Sequence, residues 1–158
     1  MALSADVLRS GPDKLGIWNV STESIDALVK RFVEFINTAD EQLARQVIAP
    51  NAEFDAPTHG EPLRGPDGYL ALLAMLRSGF PDIHWTLEET ITEGNKVAAR
   101  FKMQGTHRGD FFGTPPTGNK ISVRALNFYQ FADGQIVREQ GQPDLLGLLQ
   151  QIGAAPAF

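Results

Sequence analysis

The sequence contains no cysteine. This absence excludes disulfide bonds, thiolate nucleophiles and cysteine-ligated metals, and it leaves the redox compartment open. No apolar run approaches the roughly 20 residues that a membrane-spanning helix needs, so we expect no membrane contact. The N-terminus also lacks the cationic start and continuous apolar segment of a signal peptide. We therefore expect a cytoplasmic protein.

Positive charge is scarce as well. The chain has 14 Lys and Arg residues against 19 Asp and Glu residues, which gives a formal net charge of −5. Nucleic acids are bound by basic surfaces, so no nucleic-acid partner is expected, and the charge balance favours an uncharged or mildly polar small molecule. The three histidines lack metal-binding spacing, and phosphate-binding glycine motifs are missing. We therefore predict neither a metal site nor a cofactor.

A chain of 158 residues is sufficient for one domain with a substantial core. We expect an irregular N-terminal arm over residues 1–20, a single domain over residues 21–153 and a short tail over residues 154–158. Apolar residues at helical spacing predict three helices, followed by strands with a period of two and a short last helix. This order indicates an α+β fold, in which a long, curved antiparallel sheet wraps around the helices and leaves an internal pocket.

Strand parity indicates which polar side chains face that pocket. His107 shares the parity of Val97, Ala99, Phe101 and Met103, so it is predicted to point to the apolar face. Asn127 lies on the same face as Val123, Ala125 and Tyr129. A buried, unsatisfied amide costs about 1–3 kcal/mol, so Asn127 either bonds to a backbone group or trapped water, or faces a ligand.

Glu139 follows a tight turn after the preceding strand, and its direction depends on the register of that hairpin. A three-residue connection places Asn127 opposite Glu139, and both then face inward. A two-residue connection places Gln140 opposite Asn127 and turns Glu139 outward. Against an apolar wall, Glu139 would have a raised pKa and could act as a general acid or base. The alternative is a solvated glutamate on a polar strand face.

Two further groups are candidates for substrate binding. Asp55 and His59 flank a loop and could reach the mouth of the same cavity, or lie on the surface. Several large side chains are most simply core residues, although some could line a cavity for a ring-bearing ligand. These are Phe32, Phe35, Trp85, Met103 and Tyr129.

Residues 105–118 read GTHRGDFFGTPPTG, and residues 144–153 read DLLGLLQQIG. Together with Gly65-Pro66 before the third helix and Phe80-Pro81-Asp82 after it, they resemble the SnoaL-like polyketide cyclases of the nuclear transport factor 2-like superfamily. The resemblance covers roughly residues 21–153. It implies a cone-shaped α+β fold, a deep apolar pocket, a homodimer, and intramolecular aldol ring closure without metal or cofactor, in which an inward aspartate is helped by a histidine.

The sequence departs from that family pattern at the acid/base. The family aspartate aligns with Asn127, which cannot take and return a proton at neutral pH, and the histidine-tryptophan pair often found on the last strand aligns with Glu139-Gln140. His107 does match the family. Two accounts follow: either Glu139 or Asp55 has become the acid/base while Asn127 holds an enolate oxygen, or acid/base catalysis is lost.

Three functions are therefore weighed. The first is a cofactor-independent cyclase or isomerase acting on a polyketide-like, carbonyl-rich small molecule, with His107 and Glu139 moving protons and Asn127 holding the reacting oxygen. The second is a non-catalytic small-molecule-binding protein that uses the same pocket. The third is a hydrolase or monooxygenase-type activity on the same scaffold.

Overall fold

The structure is a computed structural model that describes residues 22–55 and 60–156. His59 and the predicted N-terminal arm lie outside the described residues. The helices are α1 (Thr22–Thr38), α2 (Glu41–Val47), α3 (Gly65–Gly79) and α4 (Leu145–Gln151). The strands are β1 (Ile48–Phe54), β2 (Leu63–Arg64), β3 (His84–Glu93), β4 (Lys96–Thr106), β5 (Lys120–Ala132) and β6 (Gln135–Pro143). The predicted α+β class is confirmed.

The six strands form one open sheet in the order β2-β1-β6-β5-β4-β3. The predicted antiparallel meander is present from β3 to β6. β1 adds a feature that the sequence did not reveal, because it pairs with β6 in parallel and makes the sheet mixed. Such pairing is allowed because the connection between β1 and β6 is long and includes a helix. None of the described helices has both the length and the apolar composition needed to cross a membrane.

Helix α1 buries an apolar stripe and is tied to the sheet at its C-terminal end. Ile25, Val29, Phe32, Phe35 and Ile36 are all buried, at the spacing expected for one helix face. Near the end of the helix, Asn37 accepts a hydrogen bond from the backbone N–H of Trp85 at 2.9 Å and donates one to the carbonyl of Trp85 at 2.9 Å. This pair of hydrogen bonds fixes the position of Trp85 on β3.

A bulge in strand β3 changes which of its side chains point to the inner face of the sheet. Leu87 pairs with Phe101 and Glu89 pairs with Arg100, so Glu88 is an extra residue in the ladder. Strict alternation predicts that Ile91 shares the inner face with Trp85, and this prediction is wrong. The bulge moves Ile91 to the outer face, where it is 68% exposed, whereas Trp85 is buried.

The loop between β4 and β5 packs against the end of α3. The backbone N–H groups of Arg108 and Gly109 both donate to the carbonyl of Gly79, at 2.9 and 3.1 Å. A Cβ atom on Gly109 would stand 1.9 Å from the carbonyl oxygen of Ser78, so only glycine allows this approach. Gly109 therefore allows the loop to pack closely against the end of α3, and this packing brings Phe111 against the helix.

Candidate active site

A largely apolar pocket lies between α3, α4 and the inner face of the sheet. Its cavity volume is about 110 Å³. Its wall includes Phe54, Leu73, Trp85, Met103 and Phe111, and its polar groups are Asp55, Tyr69, Asn127 and Glu139. No lysine or arginine contributes to the described wall, so the pocket favours a neutral ligand over an anion.

Glu139 faces this pocket because two irregularities of the last hairpin compensate for each other. The turn has two residues, since Ala132 pairs with Gln135, and this alone would turn Glu139 outward. Val137 is then an extra residue in β6, because Phe131 pairs with Ile136 but Gln130 pairs with Arg138. Glu139 consequently lies opposite Tyr129 and is only 7% exposed. The observed register is neither of the two considered from the sequence. Glu139 nevertheless points inward, as one of those two registers predicted.

The carboxyl group of Glu139 has one hydrogen-bonded oxygen and one without a partner. Asn127 donates from Nδ2 to Oε1 at 2.7 Å, and the same nitrogen donates to the hydroxyl oxygen of Tyr129 at 2.9 Å. Oε2 is buried and has no hydrogen-bond partner among the described residues. The hydroxyls of Tyr69 and Tyr129 also act on this carboxyl group, so burial rather than the lack of a partner favours the protonated acid.

Burial raises the pKa of Glu139 from an ordinary value of 4.5 to about 8. The hydroxyl of Tyr69, the amide of Asn127 and the hydroxyl of Tyr129 lower the pKa, while the negative charge of Asp55 raises it. Burial is the dominant influence. A carboxyl group with a pKa close to neutral has both its protonated and its ionised forms within reach, as a proton shuttle requires.

Tyr69, on α3, belongs to the site, and sequence reasoning missed it. The side chain is buried, and burial, followed by the nearby charge of Glu139, raises the pKa of its hydroxyl well above the ordinary value. Its ring packs edge-on against Phe54 and Phe32, with centroids 4.7 and 5.5 Å away. A tyrosine in an apolar helical stripe was the available signal, because a buried hydroxyl requires a polar neighbour.

The residues predicted to bind substrate divide into two sets. Asp55, Trp85 and Met103 line the pocket, with Asp55 exposed. Phe32 and Phe35 are fully buried and are not among the lining residues. The rings of Phe32 and Tyr129 are in contact, with centroids 5.1 Å apart. Tyr129 reaches the site through its bond with Asn127, and His59 lies outside the described residues.

His107 is fully buried, but the structure does not bring it to Glu139. Asn127 pairs with Ala99 in the middle of the sheet, whereas His107 follows the far end of β4. At about 3.3 Å per residue, the path between them along the strand is about 26 Å. His107 is not among the residues that line the pocket, so the predicted convergence of imidazole and amide is not observed.

The imidazole of His107 instead holds the loop that follows β4. The backbone N–H of Thr117 donates to Nδ1 at 3.2 Å, and Nε2 is buried with no hydrogen-bond partner among the described residues. The Thr117 hydroxyl oxygen is 3.0 Å from Nδ1. His107 also stacks at a tilt on Phe80, which packs on the pocket residue Phe111. The imidazole thus contacts the pocket wall indirectly, through Phe80, on the side away from the cavity.

In the described ranges 22–55 and 60–156, no group of three acidic or histidine side chains is placed to hold a metal ion. The polar groups that line the pocket are the carboxyl groups of Glu139 and Asp55, the amide of Asn127 and the phenol of Tyr69. This set can donate, accept and transfer protons.

The chain resembles known proteins in both sequence and fold. Residues 26–152 match the family model for SnoaL-like polyketide cyclases. The chain is 32% identical over 129 residues to aklanonic acid methyl ester cyclase DauD from a Streptomyces species, with 80% of each chain covered. It is 31% identical over 90 residues to nogalonic acid methyl ester cyclase from Streptomyces nogalater, covering 56% of this chain and 67% of the relative. TsrD from Streptomyces laurentii is 27% identical with a TM-score of 0.76, covering 86% of this chain and 99% of TsrD.

Proposed function

Since the chain belongs to the SnoaL-like polyketide cyclase family, we propose that it closes a ring in a polyketide-like, carbonyl-rich small molecule by acid/base chemistry, without a cofactor. The observation that carries this proposal is the carboxyl group of Glu139, which lies in an apolar pocket with a pKa of about 8. The relatives act on aklanonic and nogalonic acid methyl esters, and these names support the substrate class for this chain.

In the proposed reaction, the ionised carboxylate of Glu139 removes a proton from a carbon that is flanked by carbonyl groups. The electron pair of that C–H bond becomes an enolate within the substrate. The enolate carbon attacks a second carbonyl carbon of the same molecule, so a C–C bond forms and that carbonyl becomes an alkoxide. Glu139, now protonated, returns the proton to the alkoxide, and the carboxylate is restored without net consumption of protons.

Asn127 takes a role different from the one expected from the sequence. Both hydrogens of its Nδ2 atom are used by Tyr129 and Glu139, so the amide has no donor left to hold a reacting oxygen. It orients the carboxyl group of Glu139 instead. In the proposal, the phenol group of Tyr69, which lines the pocket, takes the place of Asn127 as the donor to the developing enolate.

His107 likewise changes role in the proposal. Because its imidazole bonds to Thr117 and lies away from the pocket lining, we assign it to holding the loop rather than to moving protons. Proximity then contributes most of the remaining rate enhancement. The wall formed by residues such as Trp85, Met103 and Phe111 holds the substrate folded, with its reacting carbons in contact.

The test is an assay of the purified protein with aklanonic acid methyl ester and nogalonic acid methyl ester, followed by product analysis. Ring-closed product from either ester, with a rate that falls at least a hundredfold in Glu139→Gln, supports the proposal. Glu93→Gln is the matched control, because Glu93 is exposed at the end of β3. Binding of both esters without conversion would instead indicate the non-catalytic binding protein.

We further propose that the protein acts as a cytoplasmic homodimer. The outer face of the sheet exposes Ile91, Leu126 and Phe128, which are 68, 55 and 60% exposed. Phe128 and Ile91 flank Ala98 on neighbouring strands, so they form one apolar patch on that face. A contiguous apolar patch of this kind is typical of a protein–protein contact.

A further inference from the structure

We infer that Phe112 is a specificity-determining residue at the mouth of the pocket, and that it selects ligands whose outer ring is planar and aromatic. Phe112 belongs to the loop between β4 and β5, lines the pocket and is 48% exposed. The inference rests on the proposed function, because it concerns which substrates that same pocket accepts.

The backbone of Phe112 adopts a conformation that disfavours a bulky side chain. Phe111 and Thr114 exchange both backbone hydrogen bonds, at 3.1 and 3.0 Å, around two central residues with positive φ, which is +49° at Phe112 and +76° at Gly113. This is the pattern of a type I′ turn, in which the first central residue is usually asparagine, aspartate or glycine. Left-handed backbone is unfavourable for phenylalanine, so the turn itself does not explain this residue.

Packing into the core does not explain Phe112 either. Its ring rests on Phe111, with centroids 4.6 Å apart, and Phe111 in turn packs on Phe80. The turn is fixed by Asp110, whose carboxylate accepts a hydrogen bond from the backbone N–H of Gly113 at 3.1 Å. The remaining surface of the Phe112 ring is exposed at the pocket. Residues held in unfavourable backbone conformations cluster at ligand sites, where the strain serves function rather than stability.

The size of the cavity places the outer part of a ligand against Phe112. The cavity volume is about 110 Å³, whereas an apolar cavity of about 150 Å³ is large enough for benzene. One ring therefore fills the space beside Asn127 and Glu139, and a second fused ring lies in the mouth. Within the described part of the chain, the large apolar residues that line the pocket and are also exposed are Met75 and Phe112.

An aromatic residue at the mouth distinguishes ligands by the shape of their outer ring. Aromatic rings attract each other in offset or edge-to-face arrangements, beyond the effect of the buried area alone. The thioether of Met75 adds a favourable contact to an aromatic ring. A planar outer ring can lie against Phe112, whereas a saturated ring is puckered and gains only contact area. Phe112 therefore favours the planar ligand.

The test measures the binding of three ketones to the purified protein by calorimetry. 2-Acetylnaphthalene has a planar outer ring, 6-acetyltetralin has a saturated outer ring, and acetophenone has no second ring. We expect 2-acetylnaphthalene to bind at least tenfold more tightly than acetophenone and at least threefold more tightly than 6-acetyltetralin. Absence of 2-acetylnaphthalene binding, or an affinity no greater than that of either other ketone, overturns the inference.

Variants at position 112 test whether this ring causes the preference. Phe112→Ala is expected to weaken 2-acetylnaphthalene binding at least fivefold, whereas acetophenone, which does not reach the mouth, changes less than twofold. Phe112→Tyr keeps the ring and should stay within twofold of wild type for both ketones. Leu146→Ala is the control, because Leu146 is also half exposed but is not among the lining residues. Equal effects of Phe112→Ala on the two ketones, or none, overturn the inference.

Phe112→Asn separates a role in ligand binding from a structural one. Asparagine suits the first central position of a type I′ turn, so this variant should melt at a higher temperature than the wild type while it loses the preference for 2-acetylnaphthalene. A lower melting temperature would show that the phenyl ring stabilises the fold, and it would overturn the claim that Phe112 is retained for the ligand.

Kinetics on an accepted methyl ester distinguishes this inference from the proposed function. Phe112→Ala should raise KM at least fivefold and leave kcat within threefold, because the outer ring contributes to binding and not to proton transfer. A wild-type protein that distinguishes the three ketones but converts neither ester contradicts the proposed function alone. Conversion of an ester, together with ketone affinities that do not depend on Phe112, contradicts this inference alone.

Discussion

Glu139 lies opposite Tyr129 across β5 and β6, although the turn that joins these strands is one residue too short to put it there. The extra residue Val137 in β6 restores the inward direction. A bulge beside a candidate acid/base is a common way to aim a side chain, because it changes the parity of every residue that follows. The candidate acid/base of this protein therefore depends on a local irregularity of the backbone.

Replacement of Glu139 by glutamine should lower kcat by about a hundredfold to ten-thousandfold, the usual contribution of a general acid/base. KM should change little, because glutamine keeps the shape of the side chain and can still accept the bond from Asn127. Steady-state kinetics on the accepted methyl ester measures both constants. A kcat within threefold of the wild type would contradict the assignment of Glu139.

The same residue should make stability depend on pH. Because the folded-state pKa, about 8, exceeds the ordinary 4.5, the folded protein holds this proton more tightly than the unfolded chain. The stabilisation is complete below about pH 4.5 and is lost as the pH rises towards 8. Urea unfolding at intervals across this range should show a free energy that declines more steeply in wild type than in Glu139→Gln. Parallel curves would contradict the raised pKa.

Replacement of His107 by alanine should destabilise the protein by about 1–3 kcal/mol, because the fully buried ring is removed and the backbone N–H of Thr117 loses its acceptor. The kcat of the fraction that remains folded should fall less than tenfold, in contrast to Glu139→Gln. Thermal unfolding and kinetics at a temperature well below the transition measure the two effects. A loss of kcat as large as that of Glu139→Gln, with unchanged stability, would restore His107 as a proton carrier.

Replacement of Gly109 by alanine should destabilise the fold by about 1–3 kcal/mol, the usual cost of overpacking. The added methyl group meets the carbonyl oxygen of Ser78 at 1.9 Å, so the loop must move away from α3. Urea unfolding measures the change, with Gly60→Ala as the control because its Cβ meets nothing within 4 Å. Equal stability of the two variants would mean that the loop has room to shift.

Replacement of Phe128 by glutamate should convert the proposed dimer to a monomer, because a charge would then be buried in an apolar contact. Sedimentation equilibrium of the wild type and variant measures the mass. Leu146→Glu is the matched control, since Leu146 is 50% exposed on α4, away from the outer face of the sheet. A wild type that sediments as a single chain would show the homodimer expectation to be wrong.

Much of the fold follows from the sequence because apolar periodicity is a direct consequence of burial. The inner face of β4, from Val97 to Met103, is buried as parity predicts, and the α1 stripe is equally regular. The family resemblance of the GTHRGDFFGTPPTG segment is confirmed as well. These features depend only on contacts close in sequence or on a motif that is read directly.

The features that escaped prediction depend on relationships between distant residues. The extra residue Glu88 turned Ile91 outward, and the extra residue Val137 turned Glu139 inward, and no local signal marks either bulge. The parallel pairing of β1 with β6 joins segments far apart in the chain. Tyr69 was missed for the same reason, because its partner on β6 lies on a different element.

The bond between Asn127 and Glu139 has a consequence for how these two positions can vary. An aspartate at 127, the residue of the family pattern, would face the oxygen now bonded to the amide, and two carboxyl groups so close can hold only one negative charge between them. Restoring the aspartate alone would therefore give a pair of carboxyl groups that share one proton, with one group ionised and the other protonated. The effect of a change at either position therefore depends on the residue at the other.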